Sequence, residues 1–113
     1  MPYIQARTNT EINEEQRNEI KRRLGEAISI LGKSEDWLMV EFVPNCNLYF
    51  KGDNSSPIAY VEVKLFGSSD ASSYNNMTKE ITSVLTETLA IPPSNIYISY
   101  SEHSNWGWNG NNF

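Results

Sequence analysis

Two hydrophobic periods alternate along this chain, and the alternation runs through its cycle twice. Residues 3–8 step between apolar and polar positions, as in Tyr3-Ile4-Gln5-Ala6, which predicts a strand. Asn13-Glu14-Glu15-Gln16 then has the form of a helix start, with Asn13 as N-cap and Gln16 reaching back to it. Ile20, Leu24, Ala27, Ile28 and Leu31 follow at three- and four-residue steps, the stripe of a helix lying on a sheet. Gly32 is placed to end that helix in a left-handed conformation. The run from Trp37 to Val43 is rich in β-formers and closed by Pro44, which predicts a second strand.

The second cycle keeps the same order. Pro57 precedes a partly alternating run, Ile58 to Phe66, and Gly67 breaks it. Ser68, Ser69 and Asp70 offer helix caps, and Tyr74, Met77, Ile81, Val84, Leu85, Thr88 and Leu89 form a second helical stripe. Pro92-Pro93 forbids its continuation, and Asn95 to Tyr100 reads as a strand. The spacing agrees between halves: Pro2 to Leu38 covers 36 positions and Pro57 to Ile96 covers 39. Residues 1–44 and 57–101 are therefore pseudo-repeats, with 102–113 as a C-terminal tail. Two tandem β-α-β units predict an α+β fold with a four-stranded mixed sheet and both helices on one face. The strands look more apolar than clean alternation allows, so the second sheet face is expected to need a cover. A second subunit is the expected cover, hence an oligomer.

Composition narrows the function without naming it. At 113 residues the chain fits one domain. Nine Lys and Arg against fourteen Asp and Glu give a net charge of −5. The one basic cluster, Lys21-Arg22-Arg23, sits among Glu14, Glu15, Glu19 and Glu26, which reads as a solvated helix face. Nucleic acid is not expected as a partner. A single cysteine, Cys46, excludes an intrachain disulfide and suits a reducing compartment. Residues 1–15 lack a basic region followed by an apolar run, and nothing approaches a membrane span. The expected location is the cytoplasm, or outside the cell by a route without a signal peptide. His103 is the only histidine and has no second ligand at metal spacing, so no metal is expected.

Pro2 is the residue with an unusual option. Proline is tolerated at the first position of a strand because it has no N–H to give the ladder. Start methionine is also commonly removed ahead of small second residues, which would leave Pro2 with a secondary amine. An α-amine titrates near ~7.7–8.0, and burial beside apolar and cationic neighbours lowers that value. Such a group is a base poised near neutral pH.

Several stretches carry a resemblance when taken together in this order: MPYIQARTN, Gly32-Lys33, Ile91-Pro92-Pro93-Ser94-Asn95-Ile96-Tyr97-Ile98 and Asn105-Trp106-Gly107-Trp108-Asn109. Over its whole length the chain resembles the macrophage migration inhibitory factor homologues of the tautomerase superfamily. The resemblance implies a homotrimer whose sheets close a central barrel, with short extra strands at subunit borders. Leu48-Tyr49-Phe50 and the tail near Trp106 are the candidates for those strands. It also implies a keto–enol tautomerase of α-keto acids such as phenylpyruvate, with the Pro2 amine as base and no cofactor. Lys33 matches the lysine that pairs with the substrate carboxylate; read locally, it is a lysine complementing a helix C-terminus. Tyr97 matches a pocket tyrosine contributed across the subunit border.

Other positions depart from the pattern. Ser99 stands where the founding cytokine has an asparagine, and Phe66 stands where an isoleucine usually touches substrate. Trp106 replaces a smaller valine beside Trp108; the two indoles would form a slot for a planar enol, narrow the pocket, or pack at the border. Phe113 is expected to close one wall. Ile58-Ala59-Tyr60-Val61 occupies the place of a Cys-x-x-Cys, so thiol–disulfide activity is not expected. Glu11 and Asn45 replace a charged pair linked to receptor binding. Lys64 either enlarges the anion-binding field or faces solvent. Three readings compete: a tautomerase, a cytokine-like protein acting on a receptor with a vestigial pocket, and a structural trimer with neither activity.

Overall fold

The alternation in residues 3–8 becomes strand β1 (Pro2–Thr8), whose even-numbered residues are buried and odd-numbered residues partly open. The computed structural model describes residues 1–113. Helix α1 (Glu14–Ala27) starts with both bonds of the expected capping box: Gln16 N donates to Asn13 Oδ1 at 2.8 Å, and Asn13 N donates to Gln16 Oε1 at 2.9 Å. A 3₁₀ turn, Ile28–Leu31, extends it, and Gly32 ends that turn at φ 73°. Ile20, Leu24, Ala27, Ile28 and Leu31 are all buried, as the stripe predicts.

One boundary moves here. Trp37 and Leu38 do not join the strand, because Ser34 Oγ accepts from Asp36 N at 3.2 Å and caps a 3₁₀ turn, Glu35–Trp37. Strand β2 therefore spans Met39–Val43.

In the second half, β3 (Ala59–Phe66) leads to α2 (Ala71–Leu89). Of the three possible caps, Asp70 serves, accepting from Ser73 N at 2.7 Å. Ala90 turns left-handed at φ 56° and stops the helix before the proline pair. Strand β4 (Ile96–His103) runs three residues beyond the expected end. The tail forms a hairpin of two short strands, β5 (Gly107–Trp108) and β6 (Asn111–Asn112).

The main sheet has the order β2-β1-β3-β4. β1 and β2 pair in parallel, as do β3 and β4, and the two units meet where β1 pairs antiparallel with β3. This is the tandem β-α-β arrangement. Ile4, Val61 and Val63 from the sheet meet Ile20, Leu24, Met77, Ile81 and Val84 from the helices in one buried cluster. Burying each such side chain contributes about 1.5–3 kcal/mol. Arg23 ties the helices from outside, paired to Glu80 at 3.6 Å and to Glu87.

The second sheet face corrects an expectation. Alternation in β1 and β3 is clean, so that face mixes Gln5, Arg7, Glu41, Glu62, Lys64 and Ser99 with Tyr3, Met39, Val43, Tyr60, Phe66 and Tyr97 rather than being apolar throughout. Glu41 accepts from Tyr3 Oη and from Gln5 Nε2 at 2.7 Å, and Arg7 Nη2 donates to Gln5 Oε1 at 3.2 Å. Those donors hold the Glu41 carboxyl below the usual carboxylate range. Within one chain Leu48-Tyr49-Phe50 pairs only through Phe50, which bridges to Asp53. No helix is long and apolar enough to cross a membrane.

Candidate active site

The start of β1, the end of β3 and the tail converge at one end of the sheet. Pro2 lies opposite Leu65 in the antiparallel register, and its side chain is fully buried. Phe66 N–H donates to Met1 O at 3.1 Å. Lys33 reaches the same residue: Nζ donates to Phe66 O at 2.9 Å. Gly32 makes this possible, because its left-handed conformation turns the chain off the helix toward the sheet, a conformation costly for other residues.

Aromatic rings continue the site outward. The Phe66 ring packs on Phe113 with centroids 5.6 Å apart, and Phe113 lies nearly parallel to Trp108 at 6.4 Å. Trp108 in turn meets Trp37 edge-on at 5.0 Å. Contacts of this kind contribute about 0.5–1.5 kcal/mol each beyond burial. A cleft of about 460 Å³ opens beside this row, lined by Met1, Pro2, Trp37, Met39, Trp106 and Trp108 among others. His103 backs Trp106, with ring centroids 5.7 Å apart, and its Nε2 is buried without a partner.

The hairpin holds Phe113 in place. Asn109 and Gly110 both have positive φ, 53° and 83°, the signature of a type I′ turn. Phe113 N–H then donates to Trp106 O at 3.0 Å. The Asn-Gly pair between Trp108 and Asn111 is itself a sequence signal for such a turn.

In the chain as described the free amine belongs to Met1, and the Pro2 nitrogen is an amide without base character. The Met1 amine therefore stands in for a charged or neutral amine at this corner. Burial first, and the Lys33 charge second, hold it below its ordinary value.

Of the residues singled out in sequence, Pro2, Lys33, Phe66, Trp106, Trp108 and Phe113 meet at this corner. Tyr97 and Ser99 do not. Tyr97 shares the cross-strand row of Arg7, five residues along β1 from Pro2, roughly 17 Å away. It packs edge-on against Phe50 at 5.2 Å and stays largely exposed. Ser99 Oγ is hydrogen-bonded to Tyr60 Oη at 2.7 Å. Lys64 pairs in register with Tyr3, which lines the cleft, while Lys64 itself does not line it. Trp37 and Met39 line the cleft but were not among the sequence candidates. Ser34 followed by Glu35-Asp36 is a cap signature that frees Trp37 from the strand, and it is the signal that points there. No group of three or more His, Cys, Asp or Glu side chains comes together as a metal site.

Comparison with known proteins agrees with this geometry. A family model described as Macrophage migration inhibitory factor (MIF) matches residues 1–113. The macrophage migration inhibitory factor of Mus musculus is 30% identical over 98 residues, covering 85% of this chain and 82% of the relative. The crystal structure of Leishmania major MIF2 superposes with a TM-score of 0.93 at 32% identity, covering 100% of this chain and 97% of that one. The macrophage migration inhibitory factor homologue from Prochlorococcus marinus gives a TM-score of 0.87 at 26% identity, covering 98% of each chain.

Gly110 tests the role of the hairpin. A Cβ there meets open space, so Gly110→Ala adds only the left-handed strain of about 1–2 kcal/mol. Amide exchange at Phe113 N–H is expected to speed up by about 5–30-fold while that of Ile4 is unchanged. Equal rates in both proteins would show that the turn does not hold the tail.

Proposed function

Because the chain belongs to the macrophage migration inhibitory factor family, we propose that it is a keto–enol tautomerase of phenylpyruvate-type α-keto acids. The Pro2 amine, released by removal of Met1, is the general base. One observation carries this reading: Phe66 brings its own N–H and the Lys33 ammonium to the buried start of β1.

Met1 removal changes two things at once. It turns the Pro2 nitrogen from an amide into an amine one residue deeper than the Met1 amine, in a place where the ring is fully buried. Stronger desolvation favours the neutral form, which is the form that accepts a proton. It also frees Phe66 N–H, which Met1 O occupies in the chain as described. The Met1 carbonyl thus marks where an oxygen of the substrate is bound.

The chemistry then balances simply. The substrate carboxylate pairs with Lys33, whose remaining N–H donors are free to take it. The Pro2 nitrogen takes a proton from the carbon next to the carbonyl. The resulting enolate oxygen is stabilised by the nearby cation and collects a proton from solvent, and the amine gives up its own in turn. Aromatic walls from Trp106, Trp108 and Phe113 hold the ring of the substrate parallel to them. The reaction needs no cofactor.

A homotrimer completes the site. Tyr97 lies too far from Pro2 to act within one chain, so a neighbouring copy would supply it together with Ser99. The exposed Tyr49 and Tyr97, around a 220 Å³ apolar hollow with Leu48 and Phe50, suit burial against that copy.

Two measurements test the base. Protein that keeps Met1, identified by intact mass, is expected to lose about 10²–10⁴-fold in phenylpyruvate tautomerisation; equal activity in both forms would defeat the assignment. The acid limb of kcat/KM follows the amine, whose neutral form exists above its pKa. Lys33→Ala removes a cation that lowers that pKa, so the limb moves to higher pH and KM rises about tenfold or more. An unmoved limb would separate Lys33 from the amine.

A further inference from the structure

Tyr3 is the first side chain after Pro2, and strand alternation sends it to the sheet face opposite the buried Pro2 ring. It lines the cleft, together with Pro2, Trp37, Met39 and Trp106. Met39 is also its cross-strand neighbour on β2, and Lys64 is its neighbour on β3. The Tyr3 ring is only partly buried, so packing alone leaves it room to change rotamer. A wall of the cleft needs a firmer hold than that.

Glu41 supplies the hold. Tyr3 Oη donates to Glu41 Oε1, and Gln5 Nε2 donates to the same oxygen at 2.7 Å. Gln5 Oε1 in turn accepts from Arg7 Nη2 at 3.2 Å, which fixes the way the Gln5 amide faces. Glu41 stands opposite Gln5 rather than Tyr3, so its bond to Tyr3 runs diagonally between two rows of the sheet. The bond from Tyr3 first, and that from Gln5 second, hold the Glu41 carboxyl below its ordinary range, and the same bond raises the Tyr3 hydroxyl above its own. An ionised acceptor of this kind bonds more strongly than a neutral one. Lys64 and Glu62 face the same rows from β3, but neither bonds to Tyr3. The chain of side chains from Arg7 through Gln5 and Glu41 thus ends on a ring of the cleft, while Glu41 itself lies outside it.

We propose that Glu41 is a positioning residue of the active site: by holding the Tyr3 hydroxyl it fixes the ring that bounds the cleft beside the base, and so sets the affinity for α-keto acids that carry a flat ring. This rests on the tautomerase reading, in which the ring of the substrate lies among the aromatic walls. A wall fixed before the substrate arrives spares the ordering cost of fixing it on binding. The substrate ring is the same before and during enolisation, so the benefit is equal in the ground and transition states. It therefore shows in KM and not in kcat.

Glu41→Ala, Tyr3→Phe and the double variant test it in the mature protein, with phenylpyruvate and the ringless 2-oxobutanoate as substrates. Glu41 is exposed on an edge strand, so its substitutions leave the core untouched. Each single variant is expected to raise KM for phenylpyruvate by about tenfold, with kcat nearly unchanged. Neither should alter kcat/KM for 2-oxobutanoate. The double variant should be no worse than either single one, because both delete the same bond. Glu41→Gln keeps an acceptor and should recover most of the loss. The proposal is overturned by an unmoved KM in Glu41→Ala, by a double variant whose loss is the product of the two, or by equal losses for both substrates. Calorimetric affinity for phenylpyruvate separates this from the tautomerase reading. Affinity that falls in the same pattern, in a parent without turnover, defeats Pro2 as base and keeps Glu41. Turnover with an unmoved KM defeats Glu41 alone, and a parent with neither binding nor turnover defeats both.

Discussion

The backbone of Phe66 bonds twice at the end of β3: its N–H holds the carbonyl before Pro2, and its carbonyl holds the ammonium of Lys33. Its ring meets Phe113, the last residue. Three segments far apart in sequence are thereby fixed to one strand end, beside the cleft. Strand β3 is well suited to this task. It lies inside the sheet, paired on both sides, and its alternate residues Val61, Val63 and Leu65 are fully buried. A site anchored on a strand locked by its core is held more tightly than one built on loops.

Under the proposed function, a single copy leaves the chemistry incomplete. β2 and β4 are edge strands with unpaired backbone groups, a condition that proteins remove by pairing, covering or closure. The polar second face of the sheet speaks against burial in a dry core and suits a face turned toward a wet interior. Under the proposed function, closure by copies of the chain would resolve both the edges and the separation of Tyr97 from Pro2. The polar network of Tyr3, Gln5, Arg7 and Glu41 would then serve as the lining of that interior.

Much of the fold was legible because local signals and global pattern agree. The Asn13–Gln16 box, the left-handed Gly32 and the two helical stripes each dictate a piece whose context adds nothing contradictory. Errors arose where one reading of a residue type hid another. Trp37 looks like a strand residue by propensity, but the Ser34 hydroxyl captures the Asp36 N–H and turns the chain first. The second sheet face looked apolar because Tyr3, Tyr60 and Phe66 count as hydrophobic in a list, whereas in register they alternate with Gln5, Glu62 and Lys64. The corner formed by Pro2, Lys33 and Phe66 was legible only through resemblance, since no periodicity predicts that a lysine after one helix bonds to the last carbonyl of a strand in the other half.

The central claim is that the nitrogen of Pro2, freed of Met1 and buried beside Lys33, stands uncharged near neutral pH. Labelling proline with ¹⁵N and following that resonance against pH in the mature assembled protein tests it directly. The account predicts that the nitrogen gives up its proton at a pH well below that of an ordinary α-amine, about 7.7–8.0. A nitrogen that stays protonated into the alkaline range would contradict it.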